Sequence, residues 1–167
     1  MSKARKPSKM SLSYQTLPQD ANPAGNVHGG VIMKLIDTAA GVAAVRHART
    51  NCVTASMDRM DFYQPVYVGD LVTVKASVNY VGNCSMEVGA RVEAEDLVSG
   101  KVRHTSSSYL TFVALDGEGR PQQVPELMPS SHDDKRRYTE GHARQERRKQ
   151  LIAADRKKAG KKSKKDK

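Results

Sequence analysis

The chain has 167 residues, of which 28 are Lys or Arg and 18 are Asp or Glu, giving a formal net charge of +10. Residues 1–132 carry a net charge of +1 and residues 133–167 a net charge of +9, so a near-neutral body bears a basic tail and a uniformly basic nucleic-acid-binding fold is excluded. Two cysteines, Cys52 and Cys84, in no CxxC or Cys/His cluster, exclude a disulfide framework and argue against structural zinc.

No apolar segment follows the charged N-terminus, so no signal peptide is read there. The longest apolar run, Ala39 to Val45, is far too short to span a bilayer, and a cytoplasmic location is expected. Residues 1–9, with Lys3, Arg5, Lys6, Pro7 and Lys9, read as a disordered lead-in, and residues 10–17 alternate weakly as a short strand. Pro18 and Pro23 bracket a loop that leads into the turn AGNVHGG. From Gly30 to about His47 the residues are apolar nearly all round a helix, with Lys34 and Arg46 as exceptions, which predicts a helix buried on most sides.

Everything after Asn51 reads as strand. Val53 to Tyr63 is one run closed by Pro65. Val72 to Tyr80 and Met86 to Ala94 alternate with a period of two, and a last strand runs from about Val102 to Leu115. Gly69-Asp70, Gly82-Asn83, Ser99-Gly100 and Asp116-Gly117 supply the turns. Short turns imply antiparallel neighbours, so the fold class is α+β: a curved antiparallel sheet wrapped around one long central helix. Residues 118–130 hold Pro121, Pro125 and Pro129 and form an extended exit. Ser130-Ser131 suits a helix cap, with Asp133 and Asp134 in the first turn of a helix to about Lys158. Its apolar residues are only Tyr138, Leu151 and Ile152, so it is expected to be solvated, and GKKSKKDK to be disordered. The organisation is therefore a lead-in at 1–9, one domain at 10–130 and a basic tail at 131–167.

Two features carry chemistry. Gly29 and Gly30 open the helix, where backbone N–H groups lack intrahelical partners and the helix dipole adds positive potential, so an anion or a polarised carbonyl can be held there. The plainer reading is a loop-to-helix corner. Asp37 shares a helical face with Met33, Ala40, Gly41 and Ala44. A carboxylate on that face is either paired structurally or, desolvated, serves as a general base. His28 is placed to bond a substrate or to orient the loop. The five histidines show no ligand spacing, Ser106-Ser107-Ser108 read as small packing residues, and no P-loop, Rossmann or G-x-S-x-G motif occurs.

The segments NPAGNVHGGVIMKLIDTAAGVAAVRH, VTASMDRMDFYQPVYVGD, VGNCSMEVGARVEAE and SSSYLTFVALDGEGRPQQVPEL, in this order, resemble the hotdog-fold acyl-CoA hydrolases, and in particular their cytosolic (brain-type) members and bacterial single-domain relatives. The resemblance covers about residues 12–149. It implies a hotdog fold and hydrolysis of fatty acyl-CoA to free acid and CoA, with Asn22 and Asp37 in the catalytic positions. Tandem-domain members divide these two residues between domains, whereas this chain keeps both in one unit. Self-association is therefore expected, as a dimer and as a trimer of dimers. Asp37 lies seven residues beyond Gly30, about 10 Å along a helix axis. It is thus expected to serve the Asn22, His28, Gly29 and Gly30 of a second subunit related by a two-fold axis. Arg91, Arg59 and Arg103 are the candidate partners of the CoA phosphates, each of them otherwise a solvated strand-face charge. No metal or cofactor is called for, since CoA is part of the substrate.

Two other readings stay open. In one, the body is a dimerisation scaffold whose tail binds nucleic acid or another anion, although no aromatic residues interleave with the basic run to stack on bases. A hotdog hydratase would want a His–Asp pair in the helix region, and none is evident.

Overall fold

The structure, a computed structural model, describes residues 4–58 and 60–162. The elements are β1 (Lys9–Gln15), a single 3₁₀ turn (Pro18–Asp20), α1 (Gly29–Ala48), β2 (Asn51–Met57), β3 (Asp61–Phe62), β4 (Leu71–Val81), β5 (Ser85–Asp96), β6 (Lys101–Leu115) and α2 (His132–Lys162). The six strands form one antiparallel sheet in the order β1-β4-β5-β6-β2, with β3 also on β6.

The alternation read from the sequence sets which side of each strand is buried. Val72, Val74, Val78, Val88, Val92, Ala94, Leu110, Phe112 and Ala114 are all buried and form the inner face of the sheet. Against it lie Ile32, Ile36, Ala39, Ala40, Ala43 and Ala44 of α1. The small side chains allow close approach: a Cβ at Gly41 would sit 3.6 Å from Phe112. Arg49, in the left-handed conformation at φ 61°, ends the helix by donating its N–H to the Val45 carbonyl. The hotdog architecture expected from the sequence, a helix wrapped by a curled sheet, is thus the observed one.

Four expectations need correction. The run from Val53 to Tyr63 is not one strand, because a register shift between Thr54 and Ser56 and an interruption after Met57 split it into β2 and β3. This split strand pairs with β6 rather than with β4, since the 63–70 connection, stiffened by Pro65, is no tight hairpin. The lead-in is packed from Arg5 onward. The Arg5 backbone bonds Glu126 and Met128, and its guanidinium donates to the His47 carbonyl at 2.6 Å. These bonds close the C-terminal end of α1, where His47 is fully buried with Nε2 3.0 Å from the Pro125 carbonyl.

The fourth correction concerns α2. Ser131 caps it as expected, accepting from Asp134 N–H while the Asp134 carboxylate accepts from Ser131 N–H. Yet its first half is not solvated; it docks on the outer face of the sheet through polar contacts. Glu87, 2% exposed in its side chain, holds the Arg144 guanidinium at 2.7 Å, and Arg144 also stacks over Tyr109 at 3.7 Å. Tyr80 packs on Tyr138 and His142, each at 5.1 Å between ring centroids. A Cβ at Gly141 would fall 2.9 Å from both Glu87 and Tyr80, so only glycine permits this approach. Arg148 reaches Asp58 and Thr111. The helix then runs on to Lys162, into the segment expected to be disordered; residues 163–167 lie outside the described residues.

Candidate active site

Asn22 begins the loop that precedes α1. Its Oδ1 accepts from the N–H groups of Ala24 (2.9 Å) and Asn26 (3.2 Å). Both acceptor directions are used inside the loop, so the side chain presents its amide NH₂ outward as a donor. Asn22 and Asn26 also bond through their backbones, which fixes the loop over the helix start.

His28 is the N-cap of α1. Its Nδ1 accepts from Gly30 N–H at 3.0 Å, and its own N–H donates to the Asp20 carbonyl. Two consequences follow for the expected oxyanion site. The Gly30 N–H is occupied by the cap, and Val31 N–H is bonded to the His28 carbonyl, so neither is free for a ligand. Because Nδ1 accepts, the ring proton sits on Nε2, and His28 becomes a donor beside Gly29 N–H, which has no acceptor among the described residues. Phe62 covers this corner: a Cβ at Gly29 would meet its ring at 3.3 Å. The sequence reading missed Phe62, since nothing in a two-residue strand announces which residue it faces.

Asp37 is on α1, but its side chain is exposed in the single chain rather than desolvated. The α1 face that carries it, with Met33, Val42 and Val45 exposed at 44%, 37% and 41%, has no cover among the described residues. Thr54 of β2 donates to Asp37 Oδ1 at 2.6 Å, leaving Oδ2 open. Asp37, Thr38, Gly41, Val42, Val45, Arg46, Cys52, Thr54 and Phe112 line a cleft of about 380 Å³. Burial in this apolar setting pushes the Cys52 thiol up to about 11. Thr54 was not picked out from the sequence. The available signal was its place on the strand following the helix, facing the same side as the carboxylate.

The three arginines expected to hold CoA phosphates have different fates. Arg59 lies outside the described residues. Arg103 is not a free cation: its guanidinium is 2.5 Å from Asp70 and stacks over Tyr67, and it is only 14% exposed. Arg91 is half exposed, pairs with Glu93 at 2.9 Å and lines a groove of about 720 Å³ between α2 and the outer sheet face. That groove is larger than the cleft at Asp37 but lies on the face of the sheet opposite α1. Ser106 and Ser108 are buried, and Ser107 faces outward to His104 at 2.8 Å. Among the described residues no group of three His, Cys, Asp or Glu side chains could hold a metal ion.

The thioesterase superfamily pattern matches residues 24–101, from the glycine turn through α1 to β6. A solved acyl-CoA hydrolase from Staphylococcus aureus, in complex with butyryl coenzyme A, coenzyme A and coenzyme A disulfide, superposes with a TM-score of 0.83 at 39% identity, covering 90% of this chain and 92% of that one. The chain belongs to the thioesterase superfamily. The S. aureus hydrolase has also been solved with an asparagine, an aspartate or a threonine replaced by alanine, three residues with the same mutual spacing as Asn22, Asp37 and Thr54. An acyl-CoA thioesterase solved as an apo hexamer matches this thioesterase-superfamily chain with a TM-score of 0.84 at 38% identity, over 87% of this chain and 94% of that one. The mouse cytosolic acyl coenzyme A thioester hydrolase is 40% identical over 139 residues, 82% of this chain. The chain spans only 36% of that relative's length.

Proposed function

We propose that this chain hydrolyses the thioester of fatty acyl-CoA to the free acid and CoA. The observation that carries the reading is Asp37, bonded by Thr54 and presented from an uncovered face of α1 into a largely apolar cleft. Two copies meet through these faces, with the α1 helices antiparallel and the β2 edges side by side, so that Asp37 of one copy approaches the helix start of the other. Pairing also covers Met33, Val42 and Val45. Further association as a trimer of dimers is supported by the hexameric neighbour. The enzyme works in the cytoplasm and requires no cofactor.

In the proposed step the thioester carbonyl oxygen accepts from Gly29 N–H and His28 Nε2–H at the positive end of α1. Asn22 donates from its amide to the carbonyl or to the attacking water. Asp37 takes a proton from that water as oxygen attacks the carbonyl carbon. The tetrahedral intermediate then collapses, the C–S bond breaks, and the leaving thiolate takes the proton from Asp37. Thr54 fixes the carboxylate so that Oδ2 faces the water. Arg91 and Arg59 remain the candidates for the CoA phosphates, while Arg103 holds the sheet end through Asp70.

The test is release of free thiol from a series of acyl-CoA chain lengths by the full chain and by Asp37→Asn. An amide cannot accept the proton, so turnover is expected to fall by about 100-fold or more with the melting temperature unchanged. Near wild-type turnover in the variant, or none in the native chain at any chain length, overturns the reading.

A further inference from the structure

The most charged part of the molecule is its C-terminal segment, and no described residue of it lines the cleft at Asp37. Among the described side chains, Arg148 is the last of α2 bonded to the sheet, and residues 150–155 are all exposed. The helix continues to Lys162, so that about 20 Å of it extends past Arg148. Among the described side chains, the ion pairs within α2 lie in its docked half, where Asp133, Glu140 and Glu146 pair with Arg136, Arg137, Arg144 and Lys149. Residues 150–162 hold Arg156, Lys157, Lys158, Lys161 and Lys162 against Asp155, a net charge of +4. At the root of this basic segment two adjacent apolar side chains, Leu151 and Ile152, are 66% and 46% exposed.

We infer that the distal half of α2 is a docking element for an anionic lipid surface. A basic helix with apolar side chains beside its cations lies in a headgroup layer: the apolar groups enter the acyl boundary while the cations meet lipid phosphates. The same charge would attract nucleic acid. Two features favour lipid: no aromatic residue follows Tyr138 to stack on bases, and Leu151 and Ile152 gain nothing from a phosphate backbone. The docked half, pinned by Glu87 and Asp58, fixes where the element leaves the body, so the segment reaches a surface without loosening the fold. This inference does not depend on the proposed hydrolysis.

The experiment is co-sedimentation of the full chain with vesicles of pure phosphatidylcholine and with vesicles containing phosphatidylglycerol, at low and raised salt. Binding is expected only to the anionic vesicles and is expected to weaken as salt shortens the screening length. Each cation brought to such a surface strengthens binding about five-fold, so Arg156→Gln, Lys157→Gln and Lys158→Gln together lower it by about 100-fold. A chain ending after Lys149 loses binding, and Leu151→Ser with Ile152→Ser weakens it at unchanged charge. All variants keep the wild-type melting temperature, which separates lost docking from lost folding. Equal sedimentation with both vesicle types, binding unaffected by the triple substitution, or tail-dependent binding to a homopolymer RNA with none to vesicles overturns the inference.

Discussion

The buried pair between Glu87 and Arg144 should dominate the attachment of α2. Glu87→Gln keeps the shape of the side chain but removes its charge, leaving the Arg144 guanidinium, 19% exposed and stacked on Tyr109, with only the distant, half-exposed Glu140 as a counter-ion. Breaking a buried pair from one side costs about 3–5 kcal/mol. For a domain of this size each kcal/mol lowers the melting temperature by roughly 2–4 °C, so a drop of about 6–20 °C is expected by circular dichroism, at fixed protomer concentration because association contributes. Glu140 supplies the control: it lies 3.9 Å from the same arginine but is 42% exposed, and Glu140→Gln should cost under ~1 kcal/mol. Replacing both partners, with Glu87→Leu and Arg144→Leu, should recover most of the loss, since an apolar pair needs no desolvation. Equal, small shifts for Glu87→Gln and Glu140→Gln would refute the reasoning and assign the docking to the Tyr80, Tyr138 and His142 cluster instead.

Other expectations follow from single residues. Thr54→Val should lower kcat roughly 10- to 100-fold, the worth of one hydrogen bond to a charged group, with the melting temperature nearly unchanged because Thr54 is exposed; kinetics and melting curves check both. Burial lowers the pKa of His47, with nearby Arg5 acting the same way against its bond to Pro125. The unfolded chain therefore takes up a proton that the folded chain refuses, so stability should be full above the unfolded value of 6.5 and decline below it by up to about 1.4 kcal/mol per pH unit; denaturant melts from pH 8 to 5 should show this loss, and His47→Gln should flatten it. Cys52, with its thiol at about 11, should resist alkylation at pH 8, as intact mass after iodoacetamide would show.

What the sequence revealed and what it hid divide along a physical line. β4 and β5 were legible because each buries one face, and their alternating valines report that directly. The length of α1 was legible because apolar residues on every side need an enclosing sheet. Asp37 stood out as a carboxylate among small residues, but the exposure of that face in one chain was not visible, because an apolar helix face reads the same whether or not its own sheet covers it. The docking of α2 was hidden for a different reason. Glu87, Arg144 and Arg148 read as solvated charges in a polar segment, and only their meeting across 57 and 90 residues of sequence makes them an anchor. Likewise the His28 ring, read as a substrate ligand or loop anchor, takes up the Gly30 N–H, a local bond that no periodicity reports.

The central claim is a site shared between two copies, and subunit complementation tests it most directly. Asn22→Ala and Asp37→Ala chains are each expected to be nearly inactive alone. Co-expressed in equal amounts they should assemble at random, so that half the dimers are mixed and each mixed dimer carries one intact site of two. About a quarter of the wild-type thiol-release rate should then return. Mixed assemblies verified by mass that regain no activity would place Asn22 and Asp37 in the same site within one chain and contradict the account.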